Sequence, residues 1–276
     1  MELRELTTRV AQVAIQAGSH ALQDQVNPHD LRALHPQQER QYTSEVVDDR
    51  LLRYCRERIA QIEPFDGFWE DEGSDREIGK RYWCVGHIDG VINYVRNMAE
   101  WSITISLFEI GEDGEAEPVL GIVHAPALGA TYLAAKGQGA IRIRRTPNGE
   151  KREKVMPSTT TSLNGSVVSF GMSYFPKESK RALRTAGSLA GKPADIKRIG
   201  PTSLDLCKVA DGTYDAYFEP TLHSWDIPAV SAAMVVVCEA QGQIEQWNGD
   251  RLHWDRNNDV VASNGLIIED LRQYLL

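Results

Sequence analysis

The chain lacks the sequence features of secreted and membrane-spanning proteins. Its first residues, Met1–Leu6, are charged, and no apolar run approaches the ~20 residues that a membrane-spanning helix requires. The four cysteines contain no C-x-x-C pair, so the sequence indicates neither a zinc site nor a disulfide framework. We therefore expect a protein of a reducing cytosol in which these cysteines are buried free thiols: Cys55, Cys84, Cys207 and Cys238.

An excess of positive charge is also missing. The chain has 30 Lys and Arg against 39 Asp and Glu, a formal net charge of −9. Affinity for nucleic acid comes largely from cationic contacts with phosphates, so this balance argues against a nucleic-acid partner. The one basic cluster, Arg142–Arg145 with Lys151, Arg152 and Lys154, lies around a Pro-Asn-Gly turn. It predicts a charged hairpin at a sheet edge, where charge discourages pairing with other chains.

Short motifs of several large enzyme classes are absent as well. The sequence contains no P-loop, no dinucleotide-binding fingerprint, no serine-hydrolase elbow and no internal repeat. The glycine pair in Gly137–Gly139 is too short to indicate a phosphate-binding loop and is typical of a turn between strands. These absences direct attention to the acidic residues.

Acidic residues occur in three separate segments that have the character of a metal site. In Trp83–Asn93, W-C-V-G-H-I-D-G-V-I-N, a strand-like run ends in a turn bearing Asp89, and Asp226 of S-W-D opens a later helix. Trp69–Gly73, W-E-D-E-G, supplies three consecutive acids. Carboxylates suit a hard divalent cation such as Mg²⁺, and a pair of such ions can clamp a phosphoryl group. Taken alone, Asp89 could equally be a turn residue and Asp226 a helix cap.

The motifs resemble those of the inositol monophosphatase family. Trp83–Tyr94 fits the frame of its motif W-x-x-D-P-[IL]-D-G-T-x-N-[FY], and Trp225–Ala229 fits W-D-x-[AG]-[AG]. Gly121–Ala140 and Gly200–Glu219 resemble two further stretches of that family. The resemblance implies a Mg²⁺-dependent phosphomonoesterase ancestry, a homodimer and a mixed α+β and α/β fold. The expected architecture is the layered αβαβα sandwich of the inositol monophosphatase and fructose-1,6-bisphosphatase type.

The resemblance also assigns roles to particular residues. It implies that the catalytic acids are Asp71, Glu72, Asp89 and Asp226. It implies that the metal ligands are Asp71, Asp89 and Asp226. It implies that the substrate contacts are Gly90, Asn93 and Glu219.

Central positions of these motifs nevertheless differ from the family. The motif Asp that bridges both principal ions is Gly86, and the motif Thr that contacts phosphate and orients the attacking water is Val91. The acid of an earlier T-x-x-D segment falls on Val46. Loss of a bridging carboxylate removes a ligand from both ions at once. We expect one weakly held Mg²⁺ or Mn²⁺, or none, and partial recovery of hydrolysis when Asp and Thr are restored at positions 86 and 91.

Other residues could replace the lost ligands, and three functions stay open. His87 adjoins the vacant position and is either a ligand, better suited to Zn²⁺ or Mn²⁺, or a turn or pocket histidine. Glu45 could reach inward if its segment shifts. The first functional reading is weak or absent phosphomonoesterase activity with a retained small-metabolite pocket. The second is an active phosphatase with a rebuilt site for a sugar or polyol phosphate. The third is a regulatory or structural binding protein.

The hydrophobic periodicity divides the chain near residue 145. Residues 1–145 are expected to form an α+β half with an antiparallel sheet and most of the metal-site acids, and residues 146–276 an α/β half that contributes Glu219 and Asp226. Helices are predicted at Leu3–Leu22, Ser44–Ile62, Lys177–Ala190, Ser203–Ala210 and Asp226–Ala240. A polar loop is predicted over Gln23–Gln41. Strands are predicted at Gly67–Glu70, Tyr82–Val85, Ser102–Glu109, Val119–His124, Ala130–Ala135, Ser166–Gly171, Ile196–Ile199 and Tyr214–Glu219.

Overall fold

Two β-sheets alternate with layers of α-helices. The structure is a computed structural model that describes residues 2–25, 49–69, 76–173 and 175–276. Its helices are α1 (Leu3–Asp24), α2 (Asp49–Ile62), α3 (Val91–Val95), α4 (Pro176–Ser188), α5 (Thr202–Ala210), α6 (Ile227–Glu239) and α7 (Ile268–Arg272), with a 3₁₀ turn at Ser224–Asp226. No helix in these ranges is long and apolar enough to cross a membrane.

The first sheet has seven strands in chain order. They are β1 (Gly67–Phe68), β2 (Arg81–Val85), β3 (Ile103–Ile110), β4 (Ala116–Ala125), β5 (Ala130–Ala135), β6 (Ala140–Thr146) and β7 (Gly149–Lys154). Only the β1–β2 pair in this sheet is parallel, which confirms the predicted antiparallel character. Short turns join β3 through β7, as the sequence signals between them predict, whereas the connection from β2 to β3 is longer and contains α3.

The basic cluster lies on the β6–β7 hairpin at the edge of this sheet, which confirms that prediction. Glu153 on β7 accepts hydrogen bonds from the guanidinium groups of Arg142 and Arg144. Lys151 forms an ion pair with the same carboxylate. The first sheet continues to Lys154, beyond residue 145, so the proposed division of the chain near residue 145 falls within β6.

The second sheet has five strands in the order β11-β12-β10-β8-β9. They are β8 (Val167–Phe170), β9 (Asp195–Lys197), β10 (Ala216–Leu222), β11 (Gln243–Glu245) and β12 (Asn258–Ser263). Strands β9, β8 and β10 pair in parallel, whereas β12 pairs antiparallel to β10 and β11. Helices α4 and α5 connect the parallel strands, which is the connection that parallel pairing requires.

The three largest apolar clusters among the described residues hold the layers together. The first joins α1 and α2 to one face of the seven-stranded sheet, through residues such as Leu6, Val10 and Ile105. The second lies between the sheets and contains α5 and α6. The third packs α4 and α7 on the outer face of the five-stranded sheet. This order confirms the αβαβα sandwich that the resemblance implied.

Helix α6 approaches β4 so closely that one strand residue has to be glycine. A Cβ atom added to Gly121 would lie 2.1 Å from the carbonyl oxygen of Ala232, a backbone atom. A Cβ added to Gly187, which is exposed in α4, would meet nothing within 4 Å. The glycine at 121 therefore sets the distance between a sheet and the central helix layer.

We expect Gly121→Ala to lower the free energy of unfolding by about 3 kcal/mol, because the helix backbone has to move away from the strand. Gly187→Ala is the matched control and should raise that free energy by about 0.5 kcal/mol through helix propensity. Urea denaturation of both variants measures the difference. Equal free energies of unfolding for Gly121→Ala and Gly187→Ala would show that α6 can move away from β4 without loss of stability.

Several predicted boundaries were wrong in detail. Helix α6 begins at Ile227 because Asp226 belongs to the preceding 3₁₀ turn. Strands β11 and β12 and the helices α3 and α7 were not predicted. Strand β11 and the helices α3 and α7 are too short for a clear period, and β12 contains only a short apolar run, Val260–Ala262. Cys238 is exposed near the end of α6, contrary to the prediction of four buried thiols; Cys55, Cys84 and Cys207 are buried and free. Most of the predicted loop Gln23–Gln41 lies outside the described residues.

Candidate functional site

Asp89 lies after β2 and is fixed by backbone contacts on both sides. Its N–H donates to the carbonyl of Ser102 at 3.0 Å, and the N–H of Ser102 donates back at 2.9 Å. Its carboxylate Oδ2 accepts a hydrogen bond from the N–H of Ser203, in the first turn of α5, at 2.9 Å. Burial raises the pKa of Asp89, while the hydrogen bonds to Ser203 and Gly90 oppose that shift. One carboxylate oxygen therefore already has a protein partner.

Asp226 is held in a similar way by its own turn. Its Oδ2 accepts the N–H of His223 at 2.8 Å, and its own N–H donates to the carbonyl of His223 at 2.9 Å. Asp226 is the last residue of the 3₁₀ turn, and its carboxylate closes that turn by accepting the N–H of His223. Its side chain makes no capping hydrogen bond to α6, so its interpretation as a cap of that helix was wrong. Asp226 lines the same cleft as Asp89.

Glu219 on β10 is buried and is the third acid in the cleft. Its Oε2 accepts hydrogen bonds from the hydroxyl of Tyr217 at 2.5 Å and from Thr202 Oγ1 at 2.9 Å. A Cβ atom at Gly171 would lie 2.2 Å from the Glu219 Cδ atom, so only a glycine there leaves room for this carboxylate. Burial raises the pKa of Glu219, against the effect of both hydroxyl groups.

The three acids affect one another electrostatically. The pKa of Asp226 is raised well above its ordinary value, first by burial and next by the charge of Glu219, with a further contribution from Asp89. Such shifts are expected where like charges converge in a poorly solvated place. Arg198 is the one cationic side chain among the described residues that line the cleft. The cleft therefore favours a positively charged occupant.

Asp205 is a fourth carboxylate in this cleft, and sequence reasoning missed it. It is fully buried in α5, and neither carboxylate oxygen has a hydrogen-bond partner among the residues described. The ammonium group of Lys208 lies 3.6 Å from Oδ1. Burial raises the pKa of Asp205 to about 6, against the charges of Lys208 and Arg198. An acid kept in this state is costly for the fold.

Gly86 occupies the motif position of the bridging acid and directly follows β2. Its N–H donates a hydrogen bond to the carbonyl of Thr104 on β3 at 2.9 Å. A Cβ atom at this glycine would lie 2.2 Å from Thr104 Oγ1 and 3.0 Å from Pro228 Cβ. Thr104 is fully buried, and its hydroxyl has no hydrogen-bond partner within the described ranges. The hydroxyl of Thr104 thus fills the place through which a carboxylate stem would have to pass.

Three neighbouring residues with predicted roles do not line the cleft. His87 is exposed, and its role as a ligand stays a hypothesis. Gly90 has a φ of 85° and precedes α3, and a Cβ there would lie 3.0 Å from the carbonyl oxygen of Glu100. The Asn93 amide donates to the carbonyl oxygens of Glu100 and Ile199 at 2.7 and 3.3 Å. Gly90 and Asn93 support the turn around Asp89, and their contact with a substrate stays a prediction.

The described residues do not form the two-ion centre that the resemblance implies. Asp71, Glu72 and Glu45 lie outside them, so their predicted roles stay predictions. In residues 2–25, 49–69, 76–173 and 175–276, no group of three or more His, Cys, Asp or Glu side chains is arranged to hold a metal ion. Asp89 and Asp226 both line the cleft, and their role as metal ligands stays a prediction.

Sequence reasoning missed the residues that surround the acids. Thr202, Ser203 and Asp205 lie in the Gly200–Glu219 stretch, where the signal was a match to the family motif without any assigned role. Gly171 ended a predicted strand, and nothing in the sequence indicated its closeness to Glu219. These contacts join segments far apart in the chain, so they become visible only in the folded protein.

Comparison with known proteins gives the family. The model of the inositol monophosphatase family matches residues 2–276. The chain is 30% identical over 229 residues to fructose-1,6-bisphosphatase/inositol-1-monophosphatase of Thermotoga maritima, covering 82% of this chain and 79% of that protein. It is 29% identical over 238 residues to Nus factor SuhB of Xylella fastidiosa, covering 83% and 80%. The solved inositol monophosphatase of Anabaena (Nostoc) sp. PCC 7120 superposes with a TM-score of 0.78 at 22% identity, covering 100% and 96% of the two chains. The chain belongs to the inositol monophosphatase family.

Proposed function

We propose that this protein is a divergent family member with weak or absent phosphomonoesterase activity, whose acidic cleft still binds a small molecule and at most one weakly held divalent ion. The observation that carries this proposal is the contact between Gly86 and Thr104. A Cβ atom at Gly86 would overlap Thr104 Oγ1 at 2.2 Å, so the neighbouring strand fills the place of the missing acid.

The loss at Gly86 matters more than the loss of an ordinary ligand. A carboxylate that bridges two ions holds both of them and sets the distance between them, so its removal weakens both sites together. Val91, the first residue of α3, cannot donate or accept a side-chain hydrogen bond at the position where the family has a threonine. Both changes act on binding and orientation of the phosphoryl group and the attacking water.

The remaining acids support one ion better than two. Asp89 and Asp226 each use Oδ2 in a backbone hydrogen bond, and the Asp89 carboxylate also accepts one from Gly90, so only part of each carboxylate is left for a cation. Mg²⁺ or Mn²⁺ bound in this way would keep several water molecules and would be held weakly. Their raised pKa values add to the weakness, since a proton competes with the cation for a carboxylate that is hard to ionise.

The charge of the cleft also restricts the ligand. Without a cation, a phosphate ester would face Asp89, Asp205, Glu219 and Asp226, with Arg198 as the one opposing charge among the lining residues that the structure describes. Charges at such short range are little screened by salt. We infer that a phosphate ester binds only together with a divalent ion, whereas a neutral polyol or a cationic metabolite binds without one. The expected homodimer and the cytosolic location belong to this proposal as well.

Calorimetric titration with Mn²⁺ tests the metal part of the proposal. We expect at most one weak site per chain, lost in Asp89→Asn, because removal of one of two ligand charges leaves too little to hold the ion. Asp255→Asn, which changes an exposed acid outside the cleft, should leave Mn²⁺ binding unchanged. Two tightly bound ions per chain would contradict the proposal. So would equal affinity for inositol monophosphate in Mn²⁺ and in excess chelator.

A further inference from the structure

We propose that the cleft selects an organic cation that carries a planar ring, with the ring on an exposed aromatic platform and the positive group directed towards the buried carboxylates. We call the side chains of Trp225, His223 and Phe175 the aromatic rim. The inference rests on the proposed function in one respect, namely that the cleft holds a small molecule.

The aromatic rim presents large apolar surfaces to solvent beside an acidic cleft. Trp225 is 55% exposed and lines the cleft, and Phe175 is 49% exposed. The Trp225 and His223 rings are stacked, with centroids 4.2 Å apart and planes inclined by 13°. The Phe175 ring lies 5.3 Å from that of His223 and 6.3 Å from that of Trp225. Exposed aromatic surface of this kind, grouped beside polar residues, is characteristic of a binding site.

Hydrogen bonds connect His223 and the backbone of Phe175 to the cleft, and Trp225 stacks on the His223 ring that they hold. His223 Nε2 lies 2.9 Å from Glu178 Oε2, and the same carboxylate oxygen accepts the hydroxyl of Ser173. Ser173 lines the cleft, and its Oγ accepts the N–H of Phe175 at 3.1 Å. A platform held in this way loses little freedom when a ring stacks on it, which favours binding.

The inner wall of the cleft supplies the charge that a cation requires. Asp205 is buried with both carboxylate oxygens lacking a hydrogen-bond partner in the described part of the chain, and Lys208 Nζ is 3.6 Å away. Asp89, Glu219 and Asp226 line the same cleft, with Arg198 as the one cation among the described lining residues. A donor-rich cationic group would supply the hydrogen bonds that the two carboxylate oxygens of Asp205 lack, which a neutral ring or an anion cannot do.

The combination of an aromatic face with carboxylates is the chemistry by which proteins hold organic cations. The face of a tryptophan is the strongest aromatic partner for a cation, and the attraction increases when water is excluded. Here Trp225 is at the mouth of the cleft and Asp226 is the next residue in the chain. A neutral polyol could donate hydroxyl hydrogen bonds to the carboxylates but would lack the attraction of a positive charge for them and for the ring face, and a bare anion would be repelled.

Two probes that differ in one group test the inference. Benzylamine and benzyl alcohol have the same ring, but only the amine is charged at neutral pH. Calorimetric titration of the full chain in excess chelator should give at least about tenfold tighter binding of benzylamine, as expected for a desolvated cation beside an aromatic face and carboxylates. Equal affinity for the two probes, or no binding of benzylamine, would overturn the inference.

Variants then show whether the named residues are responsible. Trp225→Leu and Asp205→Asn should each weaken benzylamine binding about tenfold, and Trp225→Phe should retain most of it because a ring face remains. Phe65→Leu is the control, since Phe65 is a 91% exposed aromatic residue that does not line the cleft. A loss in Phe65→Leu as large as in Trp225→Leu would overturn the assignment. Thermal melting confirms that each variant is folded, and Asp205→Asn tests the site if Trp225→Leu does not fold.

The two proposals fail in distinguishable ways. Rapid Mg²⁺-dependent hydrolysis of inositol monophosphate by the wild-type chain would overturn the proposed weak activity and would leave the chelator titrations intact. Slow hydrolysis together with equal affinity for benzylamine and benzyl alcohol would overturn only the inference on the organic cation.

Discussion

The triple variant Gly86→Asp/Val91→Thr/Thr104→Ala is expected to hydrolyse inositol monophosphate in Mg²⁺ on the order of 100-fold faster than the wild-type chain. The first two changes restore the bridging carboxylate and the hydroxyl that orients water. The third removes the hydroxyl that would lie 2.2 Å from the new Cβ atom. If Thr104 is kept, its hydroxyl prevents the aspartate at position 86 from taking up the required position. The double variant at 86 and 91 should therefore gain little activity. The sequence-based expectation of recovery in that double variant is revised accordingly.

A Thr104→Val version of the triple variant provides the matched control. Valine has the same branched shape as threonine, so it keeps the obstruction while removing the hydroxyl group. Phosphate release from the three variants and the wild type, with Mn²⁺ titration beside it, separates steric from polar effects. Rapid hydrolysis by the valine version or by the double variant would show that Thr104 does not block the position.

Asp205→Asn is expected to stabilise the protein at neutral pH and to have little effect in acid. The pKa of Asp205 is about 6 in the folded protein against an ordinary value of 3.8, so the folded state binds a proton more readily than the unfolded state does. Stability is therefore lost as the pH rises from about 4 to about 6. A shift of about two pKa units corresponds to about 3 kcal/mol at most, which Asn recovers because it carries no charge.

Urea denaturation of wild type and Asp205→Asn at about pH 4 and about pH 7.5 measures this difference. The difference in the free energy of unfolding should be small at the lower pH and about 2–3 kcal/mol in favour of Asn at the higher pH. Asp255→Asn should stay within about 0.5 kcal/mol of wild type at both pH values, as surface substitutions usually do. A less stable Asp205→Asn protein at about pH 7.5 would contradict the account, since the carboxylate would then be satisfied in the native state.

The sequence was sufficient for most of the fold because the long elements have clear periods. Helix α1 begins at Leu3 as predicted and ends at Asp24, two residues beyond the predicted end at Leu22. Strand β5 has the predicted bounds Ala130–Ala135. The order of the layers came from the resemblance to a family. The misses are short elements such as β11 and α7, where local pattern is weak and packing against the second sheet decides the structure.

The candidate site was predictable in its acids and not in its surroundings. The cleft brings Asp89, Glu219 and Asp226 together, as the motifs indicated. The obstruction at Gly86 depends on which way Thr104 on the adjacent strand points, and a motif contains no such information. Asp205 has the appearance of a solvated helix acid in sequence, because burial against a neighbouring helix and sheet is a property of the tertiary structure.

Hydrolysis of inositol monophosphate by the wild-type chain in saturating Mg²⁺, compared with Asp89→Asn, tests the central claim most directly. The account predicts that both proteins release phosphate at similarly low rates, because the wild-type site already lacks the bridging carboxylate at Gly86. Rapid, Mg²⁺-dependent release by the wild type that is abolished in Asp89→Asn would contradict it and would establish an active site rebuilt around other ligands.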